Sequence, residues 1–313
     1  MKKTKTPKSE PQTITNYPHD ALQRIENERI VFWNSYKKHN VLKTIVTALC
    51  FSAIVLSFII LPNIVPGNIQ TSLTLLIAVG ALAGTYGYSV YVKRKFDKKL
   101  KVYFASYFKL MNDYVFEQNG FSDYELQSPD KINLDDFNEC KLYKDVIESG
   151  SRGLTNFKYH GIEMSIVDCA GNVKAEKRMK PVFVGKMLRA KASYEGETPI
   201  FVYIKGNEKA LPPTNMDGIK GVLEDDKMVV YSDYNDWKKV LTSSVMKAIN
   251  DIKTDDILVD VALSIYGGKT YVMMGYDDPL MILPLQNEFN YKPSEILKSN
   301  MTSIAKVVEA LSK

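Results

Sequence analysis

The side chains able to do chemistry in this chain are few and scattered. Three acidic pairs, Asp225-Asp226, Asp255-Asp256 and Asp277-Asp278, fall between predicted secondary-structure elements. Brought together, they would offer hard oxygen ligands to a divalent cation and so a route to metal-assisted hydrolysis. Asp is equally a turn residue, because its carboxylate accepts from backbone amides just ahead of it. The three histidines, His19, His39 and His160, stand at no zinc-ligand spacing and form no Ser/His/Asp grouping. His160, beside Gly161, reads either as a ligand contact or as an exposed strand residue. Cys50 lies in an apolar run, and Cys140 and Cys169 stand alone without a CxxC pattern, as in a reduced cytosol. Gly218-Ile219-Lys220-Gly221 lacks the spacing of a phosphate-binding loop and reads as a turn. Ser149 to Gly153 is no nucleophile elbow and reads as a flexible entry to a sheet. These residues imply no cofactor. They favour a binding or scaffolding module, with a membrane-tethered enzyme acting through the acidic turns as the alternative.

The elements that carry these residues separate by charge. The 313 residues include 41 Lys+Arg and 36 Asp+Glu, yet Thr44 to Val92 contains no charged residue and no histidine. Residues 1–43 hold nine basic and four acidic side chains, and residues 93–110 hold seven and one. Met111 onward holds 25 and 31. The basic excess is therefore a collar beside an apolar block, and the remainder is mildly acidic. A nucleic-acid reader would carry its positive field on the folded domain, so no nucleic-acid partner is expected.

Thr44–Leu61 and Leu73–Val92 are each long enough to cross about 30 Å of hydrocarbon as a helix. The connection between them, interrupted by Pro62, Asn63, Pro66, Gly67 and Asn68, predicts a helical hairpin with a turn of about ten residues. Lys37, Lys38 and Lys43 precede the first span, and Lys93, Arg94, Lys95, Lys98, Lys99 and Lys101 follow the second. The uncharged turn then places both termini in the cytoplasm of a two-span cell-membrane protein. Trp33, Tyr36 and Tyr91 lie near the same ends, as an interfacial aromatic belt would, and with those lysines and the arginine they form the expected membrane-interface set. Anionic lipids are the expected partner surface. Gly80 and Gly84 allow either close approach of the first helix within the hairpin or a homo-oligomer through the second.

Outside the spans, 1–19 reads as a disordered tail and 20–43 as an amphipathic helix with Leu22, Ile25, Phe32 and Tyr36 on one face. Residues 93–120 read as a basic stalk helix striped by Phe96, Leu100, Tyr103, Tyr107, Leu110 and Tyr114. Taking Lys43 and Lys93 as level places Phe32 between Leu100 and Tyr107 in an antiparallel stalk. A polar linker spans 121–150, and a cytoplasmic α+β domain spans 151–313. In that domain a two-residue periodicity predicts strands over 158–168, 173–178, 182–191, 200–204, 227–232, 258–266, 270–275 and 281–283. Gly171-Asn172 and Gly267-Gly268 are the hairpin turns. One helix starts at Ser232 or Asp233 and buries Trp237, Leu241, Val245, Ala248 and Ile252; another follows Pro293. Hairpins interrupted by helices predict an antiparallel sheet with packed helices.

Phe157-Lys158-Tyr159-His160-Gly161, Val182-Phe183-Val184-Gly185-Lys186-Met187, Val230-Tyr231-Ser232-Asp233 and Val240-Leu241-Thr242-Ser243-Ser244-Val245-Met246 follow a two-helix hairpin and a basic helix. In this order the chain resembles an uncharacterised bacterial family known only as a domain of unknown function. The resemblance covers nearly the whole chain. It departs from the family's acidic strand after the first hairpin, since Val173 to Lys177 holds only Glu176. It implies a bacterial plasma-membrane or inner-membrane protein and supplies no reaction; the binding-module reading itself carries the expectation of a protein partner.

Overall fold

The computed structural model describes residues 19–127, 134–176, 178–216, 218–277, 285–286, 288 and 292–313. The tail over 1–18 and the strand expected at 281–283 lie outside the described residues. The chain forms two compact units that divide between Ser106 and Tyr107.

The first unit consists of α1 (His19–Ile64) and α2 (Gly67–Phe116) up to Ser106. Nothing between His19 and Leu61 breaks a helix, so the amphipathic segment and the first apolar run are one continuous element. The second apolar run and the basic segment likewise form one helix, which ends at Phe116 rather than near Gly120. Pro62 sits inside the last turn of α1, where its missing N–H forfeits a single bond. The expected ten-residue turn is thereby reduced to Val65 and Pro66. The Val65 amide donates to the Leu61 carbonyl at 2.9 Å, and the Pro66 carbonyl accepts from Ile69 and Gln70 at 3.0 and 3.1 Å. By length and composition both helices are able to cross a membrane. Their large apolar side chains point outward, with Phe51 67% and Leu76 70% exposed.

That short turn also sets the antiparallel register. It brings Phe32 level with Lys99, between Phe96 and Tyr103, at ring-centroid distances of 5.7 and 6.2 Å. The expected position, between Leu100 and Tyr107, is one helical turn too far along α2, because Lys43 and Lys93 do not stand level. Gly80 and Gly84 have nothing within 4 Å of where a Cβ would stand and lie exposed, so neither supports close approach of α1.

The second unit is α+β. Among the described residues nine strands form one sheet: β1 (Phe121–Leu126), β2 (Val146–Tyr159), β3 (Ile162–Ala175), β4 (Arg178–Lys191), β5 (Ile200–Ile204), β6 (Gly221–Glu224), β7 (Met228–Ser232), β8 (Leu258–Tyr266) and β9 (Lys269–Tyr276). The order is β1-β2-β3-β4-β9-β8-β5-β7-β6, and every neighbouring pair is antiparallel. Residues 121–150, expected as a linker, supply β1, the short helix α3 (Leu134–Asn138) and the start of β2. Their polarity is that of an edge strand half open to solvent.

Two hairpin turns explain the altered strand boundaries. Gly267-Gly268 turns β8 into β9 with φ of +54° and +72°, the left-handed pair that a two-residue hairpin requires. His160-Gly161 does the same between β2 and β3, with φ of +46° and +84°, inside what reads as one strand over 158–168. The alternation continues on both sides of that turn, which hides it. Gly171-Asn172 is not a turn: it lies within β3, and Gly171 leaves room for the Phe137 ring, 2.6 Å from where a Cβ would stand.

The helix expected from Ser232 is two helices. Ser232 ends β7, α4 (Trp237–Val240) is one turn long, and Thr242 caps a new helix, α5 (Ser243–Asn250), by accepting from the Val245 amide at 3.4 Å. Ile249, not Ala248, is the residue buried there. The last helix, α6 (Lys292–Ser312), buries Leu297, Met301, Ile304, Val308 and Leu311 as expected. The central strands are covered on both faces. Val261, Leu263 and Ile265 alternate with Ala262 and Tyr266, and the latter two join a cluster with Phe137, Leu142, Tyr143, Phe183 and Met273.

Candidate membrane-interface site

The interface set meets where α1 and α2 leave the apolar segments. Phe96 is its centre and is buried, with Tyr36 packed edge-on at 5.3 Å and His39 at 5.1 Å. Trp33 stacks on Tyr36 at 5.7 Å, and the Lys37 ammonium lies 5.2 Å from the Trp33 ring centre. Spacings of three and four along α1 put Phe32, Tyr36 and His39 on one face, which is why they share one partner. The His39 Nδ1 faces the Ser35 carbonyl at 2.9 Å, and Nε2 faces the Lys95 ammonium at 3.2 Å. With Nδ1–H donating to the carbonyl, Nε2 is free to accept from Lys95. Lys95 also lies 5.6 Å from the Tyr91 ring centre.

Beside this cluster runs a groove of about 1040 Å³ between the two helices. Its α1 wall is Gln23, Arg24, Asn27, Glu28, Val31 and Phe32; its α2 wall is Arg94, Lys95, Lys98, Lys99, Val102 and Tyr103. Each wall follows the helical period, so a single flank of each helix builds it. Five cations face one carboxylate, and Arg24 already pairs with that carboxylate, Glu28, at 3.4 Å. Arg94, Lys98 and Lys99 pair with no carboxylate among the described residues. Behind the wall, Arg29 is buried and bound to Glu26. Burial pushes the Tyr103 phenol up to about 12, the nearby Arg29 guanidinium partly opposing it. Among the described residues the buried Tyr103 hydroxyl has no hydrogen-bond partner. A second groove of about 460 Å³ shares Arg94 and Lys95 and continues along Tyr91, Val90 and Gly87 toward the apolar run.

Of the expected interface residues, Arg94, Lys95, Lys98 and Lys99 thus line one groove. Trp33, Tyr36, Lys37 and Tyr91 gather around Phe96 and Lys95. Lys38, Lys43, Lys93 and Lys101 are exposed and line neither groove. His39 is missing from the expected set, although its place one turn beyond Ser35 and Tyr36 on the same helical face is an available signal. Arg24, Asn27 and Tyr103 are missing because a groove between helices is a tertiary feature.

Among the described residues the acidic turns form no shared carboxylate cluster. Asp225 accepts from the amides of Lys227 and Met228 at 2.8 and 2.7 Å, and Asp255 from those of Ile257 and Leu258 at 2.7 and 2.8 Å. Those bonds hold the Asp225 carboxyl below its usual range. Asp277 pairs with Lys209 at 2.5 Å, and Asp278 lies outside the described residues. Among the described residues no three His, Cys, Asp or Glu side chains gather as metal ligands would. His160 stacks on Tyr159 at 4.2 Å and meets Glu309 at 3.2 Å. Burial pushes the Cys140 thiol up to about 12 and raises Cys169 well above the ordinary range, the opposite of an activated nucleophile.

Among the described residues of the sheet unit two carboxylates are buried. Asp168 and Lys186 stand directly opposite on β3 and β4 and form a buried ion pair, with Arg152 at 3.9 Å. Desolvation raises the Asp168 carboxyl, and Lys186 offsets that rise. Asp260 on β8 accepts from the Leu211 amide at 3.1 Å, and the Gly275 amide and the Tyr203 hydroxyl also hold it. Desolvation dominates and lifts its carboxyl to about 7.

No family model matches the chain, and no curated protein is similar to it. Among solved structures, the crystal structure of the mycobacterial trehalose monomycolate transport factor A, TtfA, is similar at 12% identity with a TM-score of 0.38, over 66% of this chain and 94% of that one.

Proposed function

We propose that this protein is a two-span membrane anchor that presents a cytoplasmic α+β module for binding or scaffolding a protein partner. One observation carries the reading: two long helices present uncharged, largely apolar surface outward between Thr44 and Val92, and cations gather where both leave it. In water such exposed surface would drive aggregation, whereas in hydrocarbon it is the stable arrangement. The lysine asymmetry supports cytoplasmic termini in a bacterial plasma or inner membrane. The collar supports contact with anionic headgroups, each nearby cation contributing on the order of 1 kcal/mol. Gly80 and Gly84, open on the outer face of α2, support a homo-oligomer in the membrane.

The topology is tested by reporter fusions. Fusions beside the turn, at Asn63 or Gly67, are expected on the exported side, and fusions at Met1 or after Lys313 in the cytoplasm. An exported C-terminus overturns the reading.

A further inference from the structure

We infer that the groove between α1 and α2 holds the phosphate headgroup of one anionic glycerophospholipid from the surrounding membrane, with its acyl chains running past Val90 and Gly87. The inference rests on the membrane-anchored reading above and adds the ligand. Charge is its first support. Arg94 and Lys98, and likewise Lys95 and Lys99, stand one helical turn apart, where like charges repel. The groove gathers five cations against one carboxylate, Glu28, which Arg24 already engages, so this concentration of like charge favours a counter-charge from outside the chain.

Shape is the second support. Buried Phe32 gives the groove an apolar base, and the largely exposed Val31 and Val102 flank it, one on each helix. Arg94 and Lys95 belong to both grooves, and the narrower one leads away from the cations along uncharged residues, opened by the missing side chain of Gly87. A ligand filling both is therefore amphiphilic, with its negative end at Arg94 and Lys95. Because Arg94 follows Val92 by two residues, that end lies at headgroup level on the proposed topology. A zwitterionic headgroup fits less well, since its own ammonium meets the same cations.

The test uses the intact protein in detergent, titrated with dioleoyl phosphatidylglycerol or dioleoyl phosphatidylcholine, with bound lipid counted by native mass spectrometry. The wild type is expected to retain phosphatidylglycerol about tenfold more tightly than phosphatidylcholine, a difference of about 1.4 kcal/mol. The triple variant Arg94→Gln/Lys98→Gln/Lys99→Gln is expected to lose that preference. A second triple, Lys220→Gln/Lys247→Gln/Lys253→Gln, removes the same charge from exposed positions of the sheet unit and is expected to keep it. Equal retention of the two lipids, equal loss in both triples, or displacement of the lipid by millimolar glycerol 3-phosphate overturns the inference. Circular dichroism checks that each variant is folded. Carbonate washing of membranes separates the two readings. A wild type that stays in the pellet but shows no lipid preference removes the groove assignment alone. A wild type that washes off removes the anchor and the groove together.

Discussion

Asp260 shows how one buried carboxyl links the sheet to pH. Its raised carboxyl binds a proton more tightly in the native state than in the unfolded chain. The sign follows: the associated stability is fully present below about pH 4, falls as pH rises toward 7, and is flat above. The amplitude is on the order of 4 kcal/mol for a group moved from 3.8 to about 7. Other carboxylates work in the opposite sense, Asp225 and Glu309 being held below their usual range. The effect is therefore read by difference. Melting temperatures of wild type and Asp260→Asn, taken at pH 4.5 and 7.5, should show the wild type losing ground to the variant at the higher pH. A constant gap between the two proteins would remove the assignment.

At the scale of elements, Gly171 and Phe137 tie α3 to the middle of β3. The ring occupies the space a side chain would need, so Gly171→Val should destabilise the sheet unit by about 1–3 kcal/mol, the usual cost of overfilling a packed core. Adding Phe137→Leu should recover part of that loss, and urea unfolding of the two variants measures the coupling. The same pair shows where the sequence is legible. Periodicity reveals β5 and β8 to the residue because that pattern is local, and it finds both apolar helices while missing how far each extends into the connection between them. Gly171-Asn172 reads as a hairpin because nothing local distinguishes a glycine that turns from one that yields to a ring 34 positions away. His160-Gly161 is hidden for the converse reason, since histidine at a left-handed position is uncommon. The groove is legible only in part: the lysine cluster announces the α2 wall, but pairing it with Arg24 and Asn27 requires the register that Val65 and Pro66 impose.

At the scale of the molecule, α2 belongs to both compact units. Its last turns are built into the second: Phe116 packs on Phe157 at 4.7 Å, Asn112 donates to Thr155 at 2.9 Å, and Met111 and Val115 are fully buried. A fragment of residues 107–313 should therefore remain folded and monodisperse without detergent. A fragment of 117–313, stripped of those side chains, should aggregate or melt at markedly lower temperature. Gel filtration and thermal melts distinguish the two, and equal behaviour would show that the end of α2 is dispensable to the core.

The turn at Val65 and Pro66 has a bearing on how such a protein enters a bilayer. With two residues between the helices and no charge from Thr44 to Val92, the proposed topology asks that almost no hydrophilic chain be moved across the membrane. Both spans can partition together as a closed pair, driven by the transfer of apolar surface alone. Biogenesis of this protein would then proceed without an ATP-driven export motor, and its outer surface would offer neither proteases nor antibodies an extended loop to grip.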